Sequence, residues 1–365
     1  MKVALVGYGY WGRNVLATLV QPASREYIVP YPFLAHTNPL QKNLIESKTQ
    51  GAHKIHFEIE GVYDIDISQQ NNAKVAYETL ISQNDQALKH RTLKTYASFE
   101  ALLADENIEA LFIITPPHTH FELAKAALEA RKHIFVEKPL ATSLKECESL
   151  YELAQRYNCI LHCDHIFLYS PAVSWLKQNL AQFGEILYVQ ARRINLGLFQ
   201  SNVDVIWDLA LHDLSILDYL FTLDIRSHHT LRQQYQGFSA LADIHLQLEH
   251  FGANISVSWL SPIKVREMMI GGAKCTAIYD ETKKDKIALF DCGIMASDSL
   301  AKDCLYQKMV QYHLGAVTYP TLGSVLPLQS SIADFGLQIL HNTMRNELIA
   351  HTLRVVRTLE MISDK

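Results

Sequence analysis

A charged pair stands at the end of a strand-like segment. In the stretch HIFVEKPLATS (133–143), mostly apolar residues run directly into Glu137, Lys138 and Pro139. Charges at the end of a buried strand are costly unless they have partners or a use. Proline ends regular structure because it fixes φ and lacks a backbone donor. The pair is therefore a candidate functional group.

A carboxylate and an imidazole form a second candidate group. Asp208 and His212 lie four residues apart in VIWDLALHDLSILDYL, so one face of a helical turn would carry both. A neighbouring carboxylate can orient an imidazole and stabilise its charged form. The same residues also fit a structural interpretation, in which Asp208 or Asp213 caps the helix and His212 belongs to the core. The pattern alone leaves both interpretations open.

A third group could bind phosphate. Glycines 7, 9 and 12 follow the apolar segment KVALV in G-x-G-x-x-G spacing. The first glycine permits a tight turn, the second lets backbone approach a pyrophosphate, and the third lets helix and strand pack closely. The following helix N-terminus favours anions. The motif predicts a dinucleotide site that includes Gly7, Gly9, Tyr10, Trp11 and Gly12.

Such a site needs an acidic residue after the second strand to hold the ribose hydroxyls. Asp64 in GVYDIDIS ends an apolar segment, but it follows the glycines at more than twice the usual distance, after an apparent insertion at about 22–56. The alternative strand, EYIVPYPFLAH, contains prolines and ends without an acid. We favour Asp64, although it could be a turn aspartate. With no neighbouring arginine, it favours NAD over NADP.

Composition narrows the class of protein. The chain has 365 residues, more than a single core usually holds, and 33 basic against 38 acidic residues give a net charge of −5. No block of one charge suggests a nucleic-acid partner. Six cysteines are too few for a disulfide scaffold, and we see neither a secretory leader nor a membrane-length apolar segment. We expect reduced thiols and a cytoplasmic location.

The cysteines and histidines of CILHCDH (159–165) could suggest zinc. In a strand, His162 would face away from Cys159, Cys163 and His165, and no second cluster of matching spacing follows. We therefore predict no metal site.

The first half alternates strands and helices. Capping boxes at Thr119/Glu122 and Ser143/Glu146 mark two helix starts, the second opening a helix from Leu144 to Tyr157. This repetition predicts an α/β fold with a doubly wound parallel Rossmann sheet over residues 1–164, with ligands at the carboxyl ends of its strands.

The second half reads as an antiparallel sheet. Apolar and polar residues alternate in ALADIHLQLEH and NISVSWL, as in half-exposed strands. Further strands are expected at about 186–196, 265–271, 275–280 and 286–290. We predict an α+β domain over 165–340 with a large, mostly antiparallel open sheet, one face of it available to a partner subunit. An amphipathic helix within 341–365 would return to the first domain.

Together these motifs resemble the Gfo/Idh/MocA family of sugar and cyclitol oxidoreductases. The resemblance rests on the glycine turn, on ITPPHTHFELAKAALEARKHIFVEKPLA and on WDLALHDLSIL. The segments HIFLYSPAVSWLK and RRINLG are similar to those of the nucleotide-sugar branch, the UDP-sugar 3-dehydrogenases. One departure is Arg131, at a helix end where relatives commonly have glycine.

The resemblance implies a catalytic Lys138 and, from the second motif, catalytic Asp208 and His212. Pro139, often cis in relatives, would fix the turn that aims Lys138. NAD would also be contacted by residues of the TPPHTH and EKP segments, namely Thr115, Pro116, His120, Glu137 and Lys138. The large sheet would join subunits as a homo-dimer or homo-tetramer.

The expected reaction is reversible oxidation of a ring hydroxyl of a sugar or nucleotide sugar. His212 would be the principal acid/base, Lys138 would polarise the oxygen, and Asp208 would orient His212. Tyr169, Arg193 and Asn195 are candidates for substrate contact, with ordinary packing or a solvent-facing role as the alternative. Two alternatives stay open: an NAD-dependent glycosidase that oxidises transiently at C3, and a non-catalytic NAD-binding regulator.

Overall fold

The computed structural model describes residues 1–20, 55–84, 91–197, 199, 203–295 and 311–363. Its contacts divide the chain into two units. The first comprises Met1–Tyr169 with Val325–Val356, and the second comprises Ser170–Ser324 with Arg357–Lys365. Nearly all of the predicted insertion at 22–56, and all of the alternative strand EYIVPYPFLAH, lies outside the described residues.

A six-stranded parallel sheet forms the centre of the first unit. The strands lie in the order β3-β2-β1-β4-β5-β6, with all neighbours parallel. This is the strand order of dinucleotide-binding Rossmann domains and confirms the predicted fold class. The strands are β1 Lys2–Val6, β2 Glu58–Tyr63, β3 Lys94–Thr95, β4 Ala110–Ile113, β5 His133–Glu137 and β6 Leu161–Asp164.

Helices follow the strands of this unit. They are α1 Tyr10–Val20, α2 Ile67–Asn84, α3 Phe99–Leu103, α4 His120–Glu129 and α5 Leu144–Tyr157. The predicted cap of α5 is confirmed, because the Ser143 side chain accepts from the Glu146 N–H. Thr119 occupies the predicted N-cap position of α4, but its side chain makes no capping bond. Pro117 begins a 3-10 turn there, and the Thr119 hydroxyl contacts Pro116 O at 2.7 Å.

An unpredicted helix completes the core of the first unit. This helix, α8, spans Pro327–His341, and Phe335 stacks on Phe57 with ring centroids 6.0 Å apart. Phe112 packs edge-on against both rings. The final helix, α9, spans Asn346–Ser363, and its residues up to Val356 group with the first unit.

The second unit contains an eight-stranded sheet ordered β14-β13-β12-β11-β7-β10-β9-β8. Every pair is antiparallel except β7 with β10, which confirms the mostly antiparallel sheet. Two of its strands, β8 and β14, were not predicted. The strands are β7 Ile186–Leu196, β8 Ile225–Tyr235, β9 Phe238–Leu248, β10 Gly252–Ser258, β11 Leu260–Gly272, β12 Thr276–Asp280, β13 Ile287–Met295 and β14 Gln311–Thr318.

Two longer helices belong to the second unit, α6 Pro171–Gln178 and α7 Leu211–Phe221. A π turn over Ile206–Ala210 leads into α7. The predicted helical turn at Asp208 is therefore wider than an α-helix, with the Leu211 N–H reaching back to Ile206 O. π turns often occur at functional sites. No helix within the described residues is long and apolar enough to cross a membrane.

Candidate active site

The glycine turn has the shape that a dinucleotide requires. Gly7 has φ +92°, a conformation that favours glycine, and a Cβ there would lie 2.7 Å from Ile114 O. A Cβ on Gly12 would meet Gly7 O at 2.4 Å, so helix and strand could not pack as they do. Around Gly9 a Cβ would meet nothing within 4 Å. The open space is where the motif expects the pyrophosphate, so the turn fits the group.

Asp64 directly follows β2, next to the glycine turn. Its Oδ2 accepts a hydrogen bond from the Tyr8 N–H at 2.7 Å, and its Oδ1 accepts from the Asp66 N–H at 2.9 Å. Because β2 pairs in parallel with β1, the late acid reaches the position that the Rossmann fold requires. These contacts hold the carboxylate at the sheet edge where ribose hydroxyls would bind.

The E-K-P turn follows β5 at the same edge of the sheet. The Lys138–Pro139 peptide bond is cis, and the Lys138 N–H donates to Glu137 Oε2 at 3.0 Å. Lys138 is half-buried. Because β4 lies between β5 and β1, the E-K-P turn and the glycine turn follow strands that are one strand apart in the sheet.

His120 joins this turn to the loop after β4. Its Nδ1 lies 2.7 Å from Pro139 O and its Nε2 lies 2.7 Å from Thr115 O. The side chain has no exposed surface. The prediction that His120 contacts NAD is therefore not supported, because both ring nitrogens face backbone carbonyls. It is a positioning residue that ties two candidate cofactor loops together.

The other predicted cofactor residues stay near these loops. Tyr10 is 87% exposed at the start of α1, whereas Trp11 is half-buried. Thr115 is half-buried and Pro116 is exposed. Their side chains are accessible at the turn, so their predicted contacts with NAD remain predictions.

Sequence reasoning missed Asp164, a second carboxylate beside Glu137. The two residues are register partners at the ends of β5 and β6, so their side chains leave the sheet on the same side. Burial and the Asp164 charge raise the pKa of Glu137, and burial raises the pKa of Asp164, while the Lys138 ammonium opposes both effects. The register of the two strand ends was the signal that could have identified Asp164.

A buried hydrogen-bond chain ends at Asp164. Ser331 donates to Asp164 Oδ1 at 2.7 Å, and His162 Nε2 lies 3.1 Å from Ser331 Oγ. Gln338 Nε2 lies 3.0 Å from His162 Nδ1. Since the amide can only donate, His162 Nδ1 accepts and the ring is neutral, with its proton on Nε2. Burial accordingly lowers the pKa of His162 to about 4.

The same chain explains Tyr169. Its hydroxyl donates to Asp334 Oδ2 at 2.7 Å, and Asp334 also forms an ion pair with Arg345. Tyr169 and Asp334 are both buried. The prediction that Tyr169 contacts substrate is therefore not supported, because its hydroxyl already serves the core of the first unit.

In the second unit, Asp208 and His212 lie on the π turn and on the first turn of α7. Both are half-buried. Asp208 Oδ2 accepts from the indole N–H of Trp259 at 2.9 Å, which ties the carboxylate to the end of the sheet. The wide turn and this bond hold Asp208 and His212 partly accessible on one short segment.

Arg193 is 2% exposed and serves the interior of this unit. Its Nε and Nη2 each donate to Asp213 at 3.0 Å, and its Nη1 pairs with Glu281 at 3.3 Å. The prediction of a substrate contact from Arg193 is therefore not supported. Asn195, two residues further along β7, is half-buried, and its predicted contact with substrate is not tested.

The residues once considered for zinc have other roles. Cys159, His162, Cys163 and His165 are all buried, and His162 belongs to the chain that ends at Asp164. In the described part of the chain, no three histidine, cysteine or acidic side chains are grouped so as to hold a metal ion.

The strand order, glycine turn and Asp64 define a dinucleotide-binding Rossmann protein. Residues 1–165 match the model of the Gfo/Idh/MocA oxidoreductase family, described by its NAD-binding Rossmann fold. The matched residues contain the glycine turn and the E-K-P motif, whereas the D-x-x-x-H motif lies beyond them.

One relative is UDP-N-acetylglucosamine 3-dehydrogenase of Acidithiobacillus ferrooxidans, 36% identical over 233 residues, which are 64% of this chain and 66% of that protein. The alignment thus spans just under two thirds of the relative. Its solved structure covers 99% of this chain and 96% of its own, with TM-score 0.69 and 20% identity. A 3-ketoreductase from Actinomadura kijaniata, solved with TDP-benzene and NADP, gives TM-score 0.71 at 14% identity, covering 99% and 96%. At these identities the structures show the fold alone.

Proposed function

We propose that this protein reversibly oxidises a ring secondary hydroxyl of a nucleotide sugar with NAD as the hydride acceptor. The observation that carries the proposal is the edge of the first unit's sheet, where the open space at Gly9, the carboxylate of Asp64 and the E-K-P turn lie at the ends of β1, β2 and β5. A Rossmann sheet binds its cofactor at this edge.

Residues from both units would have roles in the reaction. The bound cofactor supplies the hydride chemistry. Lys138 polarises the hydroxyl oxygen, and His212 takes its proton as general base, with Asp208 orienting the imidazole. Lys138 and His212 are both half-buried. Their accessibility and the family motifs support this assignment.

NAD is preferred to NADP because of Asp64. Two backbone N–H groups fix its carboxylate at the end of β2, and Ile65 follows where a cation would be needed to hold a 2′-phosphate. Ile65 is 92% exposed. A fixed negative charge here accepts bonds from ribose hydroxyls and repels a phosphate. Replacing Asp64 with Ser should narrow the preference by about tenfold or more, measured as the ratio of kcat/KM for the two cofactors.

The relatives support a nucleotide sugar as the substrate class. The 36% identical relative is named for a UDP-sugar, and the segments HIFLYSPAVSWLK and RRINLG are similar to its branch.

We also assign a cytoplasmic location, since the five described cysteines are free thiols.

The outer face of the eight-stranded sheet would join two or four copies. Side chains on this face include Arg192, Asp243, His245 and Glu267, opposite the buried face of the same strands. An antiparallel sheet with one uncovered face commonly pairs with a partner. Light scattering should therefore give a dimer or tetramer, whereas a monomer at micromolar concentration would contradict the assignment.

Substrate screening tests the activity directly. UDP-activated and free sugars are offered with NAD, and NADH formation is followed by absorbance. Lys138→Ala and His212→Asn should each lower turnover by about a hundredfold or more, with NAD affinity kept. Near-normal turnover in either variant would remove that residue from the mechanism.

Product analysis separates the remaining alternatives. A dehydrogenase yields a keto sugar and one NADH per turnover. Release of an aglycone without net NADH would indicate the glycosidase, and cofactor binding with no turnover of any sugar would indicate a regulator.

A further inference from the structure

The carboxylate pair Glu137 and Asp164 lies at the end of the first unit's sheet and has no catalytic role in the proposed reaction. The residues are register partners at the ends of β5 and β6. Asp164 is 1% exposed, and its Oδ1 is occupied by Ser331. Its Oδ2 is buried and has no hydrogen-bond partner within the described residues. A buried carboxylate oxygen without a hydrogen-bond partner destabilises the fold unless a proton or a cation lies next to it.

Charge balance indicates the protonation state of the pair. Two ionised carboxylates beside a single ammonium, that of Lys138, would leave one uncompensated negative charge next to the buried Asp164. Neighbouring carboxylates that cannot both ionise retain one proton between them. With one proton, the pair carries a single negative charge, which Lys138 balances. Burial and mutual repulsion, which raise the pKa of Glu137, act in the same direction.

The surroundings of the pair contain few other charges. Near it are Lys138 on the E-K-P turn, Ser331 on α8, Tyr169, and Cys163, which precedes Asp164 on β6. The indole of Trp11 on α1 also acts on Glu137. None of these residues except Lys138 carries a positive charge. A second cation arriving at this edge would therefore change the balance.

We infer that Glu137 and Asp164 share one proton in the free protein and release it to solvent when the positively charged nicotinamide of NAD binds beside Lys138. The inference rests on the proposed cofactor site. With NAD bound, two carboxylates then face two positive charges, so the site stays neutral. NADH adds no positive charge, and the pair keeps its proton. Asp164 thus becomes a positioning residue that couples cofactor redox state to protonation.

Calorimetry can count the protons. NAD and NADH are each titrated into the full-length protein near neutral pH in buffers of different ionisation enthalpy, and the slope of the apparent enthalpy gives the protons released. We expect release approaching one proton for NAD and well under half of that for NADH. In Asp164→Asn the release with NAD should fall by more than half. Glu148→Gln, an exposed carboxylate on α5, is the matched control and should behave as wild type.

A second readout needs no cofactor. The free protein should show the infrared carbonyl band of a protonated carboxylic acid near neutral pH, and Asp164→Asn should lose it. If Asp164→Asn does not fold, Glu137→Gln removes the other partner and should have the same effect.

The outcomes distinguish failure of the shared-proton inference from failure of the proposed function. Equal proton release in wild type and Asp164→Asn, or the absence of the infrared band, would overturn the shared proton while leaving NAD binding intact. Failure of NAD to bind at all would overturn the proposed function and, with it, the release step, even where the band is present.

Discussion

Arg193 donates two hydrogen bonds of 3.0 Å to Asp213, and both residues are buried. The bonds join β7 to α7, the helix on which His212 immediately precedes Asp213. A bidentate pair restricts direction as well as distance. The buried ion pair therefore fixes the orientation of the segment that carries Asp208 and His212.

Removing one partner of this pair should destabilise the second unit strongly. Arg193→Met leaves Asp213 as an uncompensated buried charge, which costs about 3–5 kcal/mol. Urea unfolding followed by circular dichroism measures the change. The control is Arg226→Ala, whose side chain is 54% exposed beside Asp224 and should cost less than about 1 kcal/mol. Equal midpoints for the two variants would contradict a structural role for Arg193.

Gly9 and Gly12 should respond differently to alanine. A Cβ on Gly12 would meet the Gly7 carbonyl oxygen at 2.4 Å, so Gly12→Ala should lower the unfolding midpoint. At Gly9 a Cβ meets nothing within 4 Å. Gly9→Ala should therefore fold as wild type but bind NAD about tenfold or more weakly, because the methyl group occupies the pyrophosphate space. Thermal unfolding and calorimetric titration measure the two effects, and unchanged NAD affinity in folded Gly9→Ala would contradict the site.

The sequence was informative where function depends on local geometry. The glycine turn, the E-K-P turn and the cap at Ser143 are each set by a few consecutive residues, and the structure has all three. Arg131 at the end of α4 adopts φ 58°, the left-handed conformation that favours glycine at a helix C-terminus. The prediction that Asp64 follows the second strand is confirmed despite its late position in the sequence.

The buried polar chain could not be predicted, because its members are far apart in sequence. Ser331 and Asp164 are separated by 167 residues, and Gln338 and His162 by 176. Their helix, α8, has polar residues at buried positions, so its sequence lacks a clear apolar face. Tyr169 looked like a substrate contact for the same reason, since its partner Asp334 lies 165 residues away.

His162 should make the fold less stable in mild acid. Burial holds its pKa at about 4, below the 6.5 of an exposed histidine. Between pH 6.5 and 4 the unfolded chain therefore binds a proton at His162 that the folded protein does not bind. The free energy of unfolding falls as the pH decreases through this range, by about 3 kcal/mol in total. The carboxyl groups of Glu137 and Asp164, whose pKa values are raised, act with the opposite sign.

His162→Gln isolates this contribution. Glutamine can still accept from Gln338 and donate to Ser331, but it does not titrate. The unfolding midpoint in urea is measured for both proteins at several pH values between 6.5 and 4. The difference between wild type and variant should change with pH in the stated direction. Parallel curves would show that His162 is protonated equally in both states.

His120 should affect turnover through the two loops that it joins. Its ring nitrogens lie 2.7 Å from Pro139 O and from Thr115 O, so His120→Leu frees both carbonyls and loosens the turn that aims Lys138. A displacement of about 1 Å at a reacting group can cost a hundredfold in rate. We expect kcat to fall by about tenfold to a hundredfold while KM for NAD changes little, because Gly9 and Asp64 are untouched. Steady-state kinetics measure both values. Gln182→Leu, an exposed change in the second unit, serves as the control for handling and folding. If the KM for NAD rises in His120→Leu while kcat is unchanged, His120 belongs to the cofactor site, as the sequence predicts.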